Sequence, residues 1–143
     1  MIYAKGILVD TAALYAIADS RDKYHSKAVY FLDQLQKNSH PLFISNVTIY
    51  EAYRLILHRL NIKKALFFLE KIFDGSIQIE YVTMADEKTA RDCLKKYDDQ
   101  PFSFVDALNF AVMGRIKIAK VFTFDNHFNI IGFEQMPASD IDF

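Results

Sequence analysis

Short uninterrupted apolar runs alternate with stretches whose apolar residues recur at helical spacing, the pattern of strands buried on both faces between covering helices. Ile7-Leu8-Val9 is the first such run, and Asp10 closes it. Thr11 to Ala18 reads as a short helix. Asp22 opens a longer one carrying Ala28, Phe31, Leu32 and Leu35, which Asn38-Ser39-His40-Pro41 ends. Leu42-Phe43-Ile44 predicts a second strand, and Ser45-Asn46 offers an N-cap for a helix that contains Glu51. Between Asn61 and Gly75 the segment Ala65-Leu66-Phe67-Phe68-Leu69 is apolar on more than one face, so either core or a partner covers several of its sides.

Ile77, Ile79 and Tyr81 alternate as a third strand. Thr83 with Asp86, and Ser103 with Asp106, have capping-box spacing before helices running to about Tyr97 and Ile116. Val121 to Phe124 reads as a further strand, and Ile130 to Phe133 as a last edge strand. Strands alternating with helices at these lengths predict a three-layer α/β/α sandwich around a mostly parallel, four- or five-stranded sheet. At 143 residues, with 52% hydrophobic content, the chain is expected to form one domain, residues 1–143, with a substantial core.

Charge narrows the partners. With 17 basic residues against 18 acidic and a net charge of −1, bulk electrostatics does not mark a polybasic binder, so a nucleic-acid partner needs a local means of attachment. The single cysteine, Cys93, excludes an internal disulfide framework and fits a reducing cytoplasm. Met1 to Asp10 holds too brief an apolar stretch for a signal peptide, and no run approaches the roughly 20 apolar residues that span a bilayer, so a cytoplasmic protein without membrane attachment is expected. There is no Gly-rich phosphate loop, and the four histidines show no zinc-type spacing.

The chemistry lies in the acids. In a parallel α/β sheet ligands bind outside the carboxyl ends of the strands. Asp10 and Asp125 follow strands and fall at that end, while Glu51 and Asp106 sit in the first or second turn of helices that start from it. Carboxylates forced together repel unless a proton, a base or a cation compensates. No Lys or Arg neighbours Asp10, Asp106 or Asp125 in sequence, so a hard divalent cation such as Mg²⁺ or Mn²⁺ is the natural compensator. Such an ion acidifies a bound water and shields a phosphodiester, which points to phosphodiester hydrolysis. Each acid also has a plainer use. Glu51 and Asp106 suit a helix N-terminus, worth roughly 0.3–1 kcal/mol, and Asp125-Asn126 suits a turn.

Val9-Asp10-Thr11, Glu51 early in a helix, Ser103 to Ala107 (Ser-Phe-Val-Asp-Ala) and Thr123 to Phe128 (Thr-Phe-Asp-Asn-His-Phe), in that order over nearly the whole chain, resemble the PIN domain family, particularly its VapC-type toxins. The resemblance implies a Mg²⁺- or Mn²⁺-dependent endoribonuclease acting on RNA, with an acidic site of Asp10, Glu51, Asp106 and Asp125. It makes Asp10 and Asp106 the principal metal ligands, with Glu51 acting through water or a second metal and Asp125 varying among relatives. Thr11, Ser103 and Thr123 stand where relatives carry hydroxyls that orient the acids, though capping or packing would equally explain them. It further implies a homodimer neutralised by a small antitoxin protein. One departure is that relatives often end the helix before the last motif with Gly, where this chain has Lys117, with Gly114 earlier.

Arg54 and His58 follow Glu51 by three and seven residues, close to one helical face, and are candidates for binding substrate phosphates. Arg54 could instead pair with Glu51 or face water. Two other classes compete. Asp10 as a phosphoacceptor fits badly, because a haloacid-dehalogenase-type enzyme would want an Asp where Ala12 stands and a receiver domain would want one near Val82-Thr83. A non-catalytic module of the same fold, binding RNA or protein, is the alternative, and four intact acids speak against it.

Overall fold

A computed structural model describes residues 5–138, so Met1 to Ala4 of the N-terminal stretch considered above lie outside it. In chain order the elements are β1 (Ile7–Val9), α1 (Thr11–Ala18), α2 (His25–Lys37), β2 (Leu42–Ser45), α3 (Asn46–Arg59), α4 (Ile62–Ile72), β3 (Gln78–Glu80), α5 (Met84–Lys96), α6 (Phe104–Ile116), β4 (Lys120–Phe122), α7 (His127–Ile131) and β5 (Glu134–Met136). The strands form one five-stranded sheet in the order β3-β2-β1-β4-β5, every neighbouring pair parallel.

Alternation along the strands sorts side chains to two faces. Ile7, Val9, Leu42, Ile44 and Phe122 join a core with Ala13, Phe31, Ile49 and Phe68, so α1 to α4 cover that face. Leu8, Phe43 and Val121 point the other way, onto Ala90, Ala107, Val112 and Phe128 of α5, α6 and α7. Helices on both faces leave the three central strands no polar side, hence the consecutive apolar residues Ile7-Leu8-Val9, Leu42-Phe43-Ile44 and Val121-Phe122.

The caps behave as their side chains dictate. Ser45 accepts from the Thr48 N–H, and Thr83 with Asp86 and Ser103 with Asp106 form reciprocal capping boxes. Lys117 ends α6 in the left-handed region at φ 61°, a conformation in which an L side chain is crowded and Gly is not.

Three expectations are revised. The helix expected from Asp22 starts at His25, because the Asp22 carboxylate accepts the Tyr24 N–H in a local turn first. The strand expected over Val121 to Phe124 is Lys120–Phe122, and Phe124 leaves it to stack on Tyr24 with ring centroids 4.5 Å apart. The edge strand expected over Ile130 to Phe133 is instead the end of α7, which Gly132 terminates at φ 107°, and the fifth strand is Glu134–Met136. Its sequence is polar for a physical reason: an edge strand has one flank against water and needs no apolar run.

Candidate active site

The sheet order places β1 between β2 and β4, so the chain leaves β1 toward one side of the sheet and later returns to the other. A crevice opens at such a reversal, outside the carboxyl ends of the strands. Asp10 follows β1 there, its N–H donating to the Phe122 carbonyl at 3.0 Å. A cavity of about 740 Å³ occupies the crevice, and its walls include Asp10, Thr11, Glu51, Ser103, Asp106 and Asp125.

Asp10 is the N-cap of α1, yet its side chain makes no capping bond. It is turned to the Thr123 hydroxyl, which donates to Oδ2 at 2.9 Å. Only 4% of the residue is exposed. Burial raises its carboxyl from 3.8 to about 7, and the charges of Asp106 and Glu51 add to the rise, against the opposing hydrogen bonds from Thr123 and the Thr11 backbone. The protein thus keeps an acid at the cavity wall that is largely withdrawn from water and repelled by two others.

Asp106 serves two ends. In the capping box its Oδ2 accepts the Ser103 N–H at 3.0 Å while Ser103 Oγ accepts the Asp106 N–H at 3.0 Å. The same side chain forms part of the cavity wall. Asp125 is likewise both turn former and wall. Its Oδ1 accepts the His127 N–H at 3.1 Å, and its own N–H donates to Thr123 Oγ1 at 3.0 Å. Thr123 therefore bonds both Asp10 and Asp125. Glu51, half-buried on α3, completes the set.

Below the acids lies a buried polar brace. Ser45 Oγ donates to Asn109 Oδ1 at 2.6 Å, and Asn109 Nδ2 donates to Thr48 Oγ1 at 2.8 Å, all three residues being wholly buried. Thr48 precedes Glu51 by three residues on α3, and Asn109 follows Asp106 by three on α6. Residues three apart share a helical face, so the brace ties the two acid-bearing helices one turn from their carboxylates.

Arg54 and His58 are not among the residues lining the cavity. Both are exposed, and Arg54 makes no ion pair with Glu51. Along α3 the cavity follows Glu51, Leu55 and Arg59, a row spaced by four, whereas Arg54 and His58 lie on the i+3, i+7 row on the other side of Glu51. Arg59 is the one permanently cationic side chain among the described lining residues, with its guanidinium 5.1 Å from the Tyr15 ring centroid. Sequence reasoning missed Arg59, Asp22 and Tyr24 at this wall because only the fold brings α1, α2 and α3 to one crevice. It held His127 within the Thr123 to Phe128 motif and among the histidines without zinc spacing, and gave it no role in the site. The ring lies among the acids, Nδ1 2.8 Å from Asp106 Oδ2 and 3.2 Å from Asp125 Oδ2, and its place two residues after Asp125 was the available signal.

The donor set suits a cation. Asp106, Asp125 and His127 offer ligand atoms within 4.8 Å of one another. Thr11 Oγ1, in the cavity wall residue next to Asp10, is the one buried side-chain polar atom among the described residues left without a hydrogen-bond partner. An unsatisfied buried hydroxyl is costly, and an ion or its hydration water would supply what it lacks.

Comparisons with known proteins bear on the family and the fold. Residues 7–134 match the PIN domain family. The 23S rRNA-specific endonuclease VapC20 of Mycobacterium tuberculosis is 29% identical over 131 residues, spanning 91% of this chain and 97% of that protein. Ribonuclease VapC26 of the same species is 24% identical over 126 residues, spanning 87% and 91%. The crystal structure of VapC20, described as a Sarcin-Ricin loop cleaving toxin, superposes with a TM-score of 0.80 at 29% identity over 89% of this chain and 95% of that one. DNA-bound VapBC from Salmonella typhimurium, at 14% identity, shares the fold with a TM-score of 0.66 over 92% of this chain and 96% of that one.

Proposed function

The chain belongs to the PIN domain family, and on that premise we propose that it is a Mg²⁺- or Mn²⁺-dependent endoribonuclease serving as the toxin of a toxin-antitoxin pair. The observation that carries the proposal is the meeting of Asp10, Glu51, Asp106 and Asp125 in one crevice, with Asp10 buried. The name of VapC20 as an rRNA endonuclease supports RNA as the substrate class.

In this reading Asp10 and Asp106 are the principal metal ligands, and Glu51 and Asp125 hold the remaining positions directly or through water. When bound, the divalent ion supplies charge neutralisation at the scissile phosphodiester and a more acidic water. The protein's own part is orientation. The Thr123 hydroxyl fixes Asp10, the Ser103 N–H fixes Asp106, and Thr11 Oγ is free to bond an ion's hydration shell. Arg59 in the cavity wall binds an RNA phosphate, a task for which Arg54 and His58 were the candidates in sequence.

A toxin needs restraint, and a protein antitoxin is the proposed partner. An apolar cavity of about 670 Å³ between α1, α2 and α4 offers it a surface, with Leu14, Ile17, Leu32 and Phe67 in its walls. The segment read as core or interface divides here, since Phe68 is buried while Leu66 and Phe67 are exposed. The toxin is proposed to act in the cytoplasm as a homodimer. Among the described residues no helix is long and apolar enough to cross a membrane.

The test is cleavage of 23S rRNA, or of a fragment carrying the sarcin-ricin loop, with Mg²⁺ or Mn²⁺ and with chelator. Wild type is expected to cleave only with metal, and Asp10→Asn and Asp106→Asn to lose at least about 100-fold in rate while staying folded. Cleavage by both variants at the wild-type rate would overturn the mechanism.

A further inference from the structure

We propose that His127 is a positioning residue that sets the spacing of Asp106 and Asp125 for the cation, a role that rests on the metal-dependent reading above. Asp106 stands on α6 and Asp125 follows β4, and His127 touches both. Its Nδ1 lies 2.8 Å from Asp106 Oδ2 and 3.2 Å from Asp125 Oδ2, and its backbone N–H donates to Asp125 Oδ1 at 3.1 Å. The ring itself is held: Phe102 packs edge-on against it, centroids 5.4 Å apart, and Phe102 is buried against Phe110.

An ionised carboxylate only accepts hydrogen bonds, so the tautomer assigned to the ring is the one with Nδ1–H, which donates toward the two carboxylates it faces. Asp106 Oδ2 then takes two donors, the Ser103 N–H and His127 Nδ1–H, and the carboxylate cannot turn. Its Oδ1 accepts no bond from a described residue and is left for the ion or its water. Partners of this kind behind a ligand tune metal sites strongly, and their loss typically weakens affinity by about 10–100-fold. The competing role is that of a nitrogen ligand, since the three side chains lie within 4.8 Å of one another. A ligand role runs through one of the two ring nitrogens: through Nδ1 the ring must give up the Nδ1 proton, and through Nε2 it keeps that proton, a role that Gln mimics and Asn does not.

Two measurements decide between them. Mn²⁺ affinity is compared by calorimetry for wild type, His127→Ala, His127→Asn and His127→Gln, and the His127 ring nitrogens of ¹⁵N-labelled wild type are observed before and after saturating Mg²⁺. Asn carries an N–H near the place of Nδ1–H, while Gln reaches toward Nε2. Expected are a drop of about tenfold or more in Ala, recovery to within a few-fold in Asn but not in Gln, and an Nδ1 that stays protonated with Mg²⁺. Wild-type affinity in the Ala variant, equal rescue by Gln, or loss of the Nδ1 proton on adding Mg²⁺ overturns the role of His127 and leaves the nuclease reading standing. Wild type that binds neither ion overturns both. The nitrogen measurement uses the unaltered protein, so an Ala variant that fails to fold does not leave the question open.

Discussion

Asp10 concentrates the electrostatic tension of the site, and its sign is testable. Its folded carboxyl titrates at about 7 against 3.8 in the unfolded chain, so the native state holds a proton that the unfolded state has released over that interval. The stability this group contributes is therefore complete below about pH 4 and lost by about pH 7. With chelator present, Asp10→Asn is expected to gain on wild type by roughly 2–3 kcal/mol between pH 5 and 8, read from urea denaturation at each pH. A difference that stays flat with pH would mean that Asp10 is solvated after all. Asp10 was legible in sequence because an acid ending an apolar strand needs a polar destination. Arg59 was not: nothing local separates it from Arg54, and the side of α3 that faces the crevice is chosen by packing.

At the scale of elements, caps and braces decide how well the acids are held. Lys117 in the left-handed region is a strained C-cap, and Lys117→Gly is expected to raise stability by about 0.5–1 kcal/mol with RNA cleavage unchanged. Lower stability in a denaturation curve would show that the Lys side chain contributes more than its backbone costs. Asn109→Leu is expected to cost about 1–3 kcal/mol, because the Ser45 and Thr48 hydroxyls lose their buried partner, and also to weaken Mn²⁺ binding as α3 and α6 lose their tie. A variant with wild-type urea midpoint and wild-type affinity would remove the brace from the account. Both capping boxes were readable because they are written within four residues. The Ser45-Thr48-Asn109 contact joins positions some sixty residues apart and was invisible for that reason. The last strand was placed too early for another reason: its pattern is polar, and the apolar Ile130-Ile131 beside it belongs to a helix.

For the whole molecule, the cation is a ligand of the native state alone, so it stabilises by mass action. At about 100 times its Kd it is expected to add about 2.7 kcal/mol and raise the melting temperature by several degrees, an increase that chelator reverses and Asp10→Asn abolishes. An unchanged melting curve at millimolar Mg²⁺ or Mn²⁺ would deny a preformed site. The sequence by itself determined the layered α/β architecture, the capped helices and the four acids at one end of the sheet, because hydrophobic period and capping chemistry act over a few neighbouring residues. Only the tertiary structure decided which cation faces the acids, that His127 stands between Asp106 and Asp125, and that Asp10 is buried enough to need compensation. Those outcomes depend on distances between elements far apart in the chain, and such distances are set by how the two helical layers pack on the sheet.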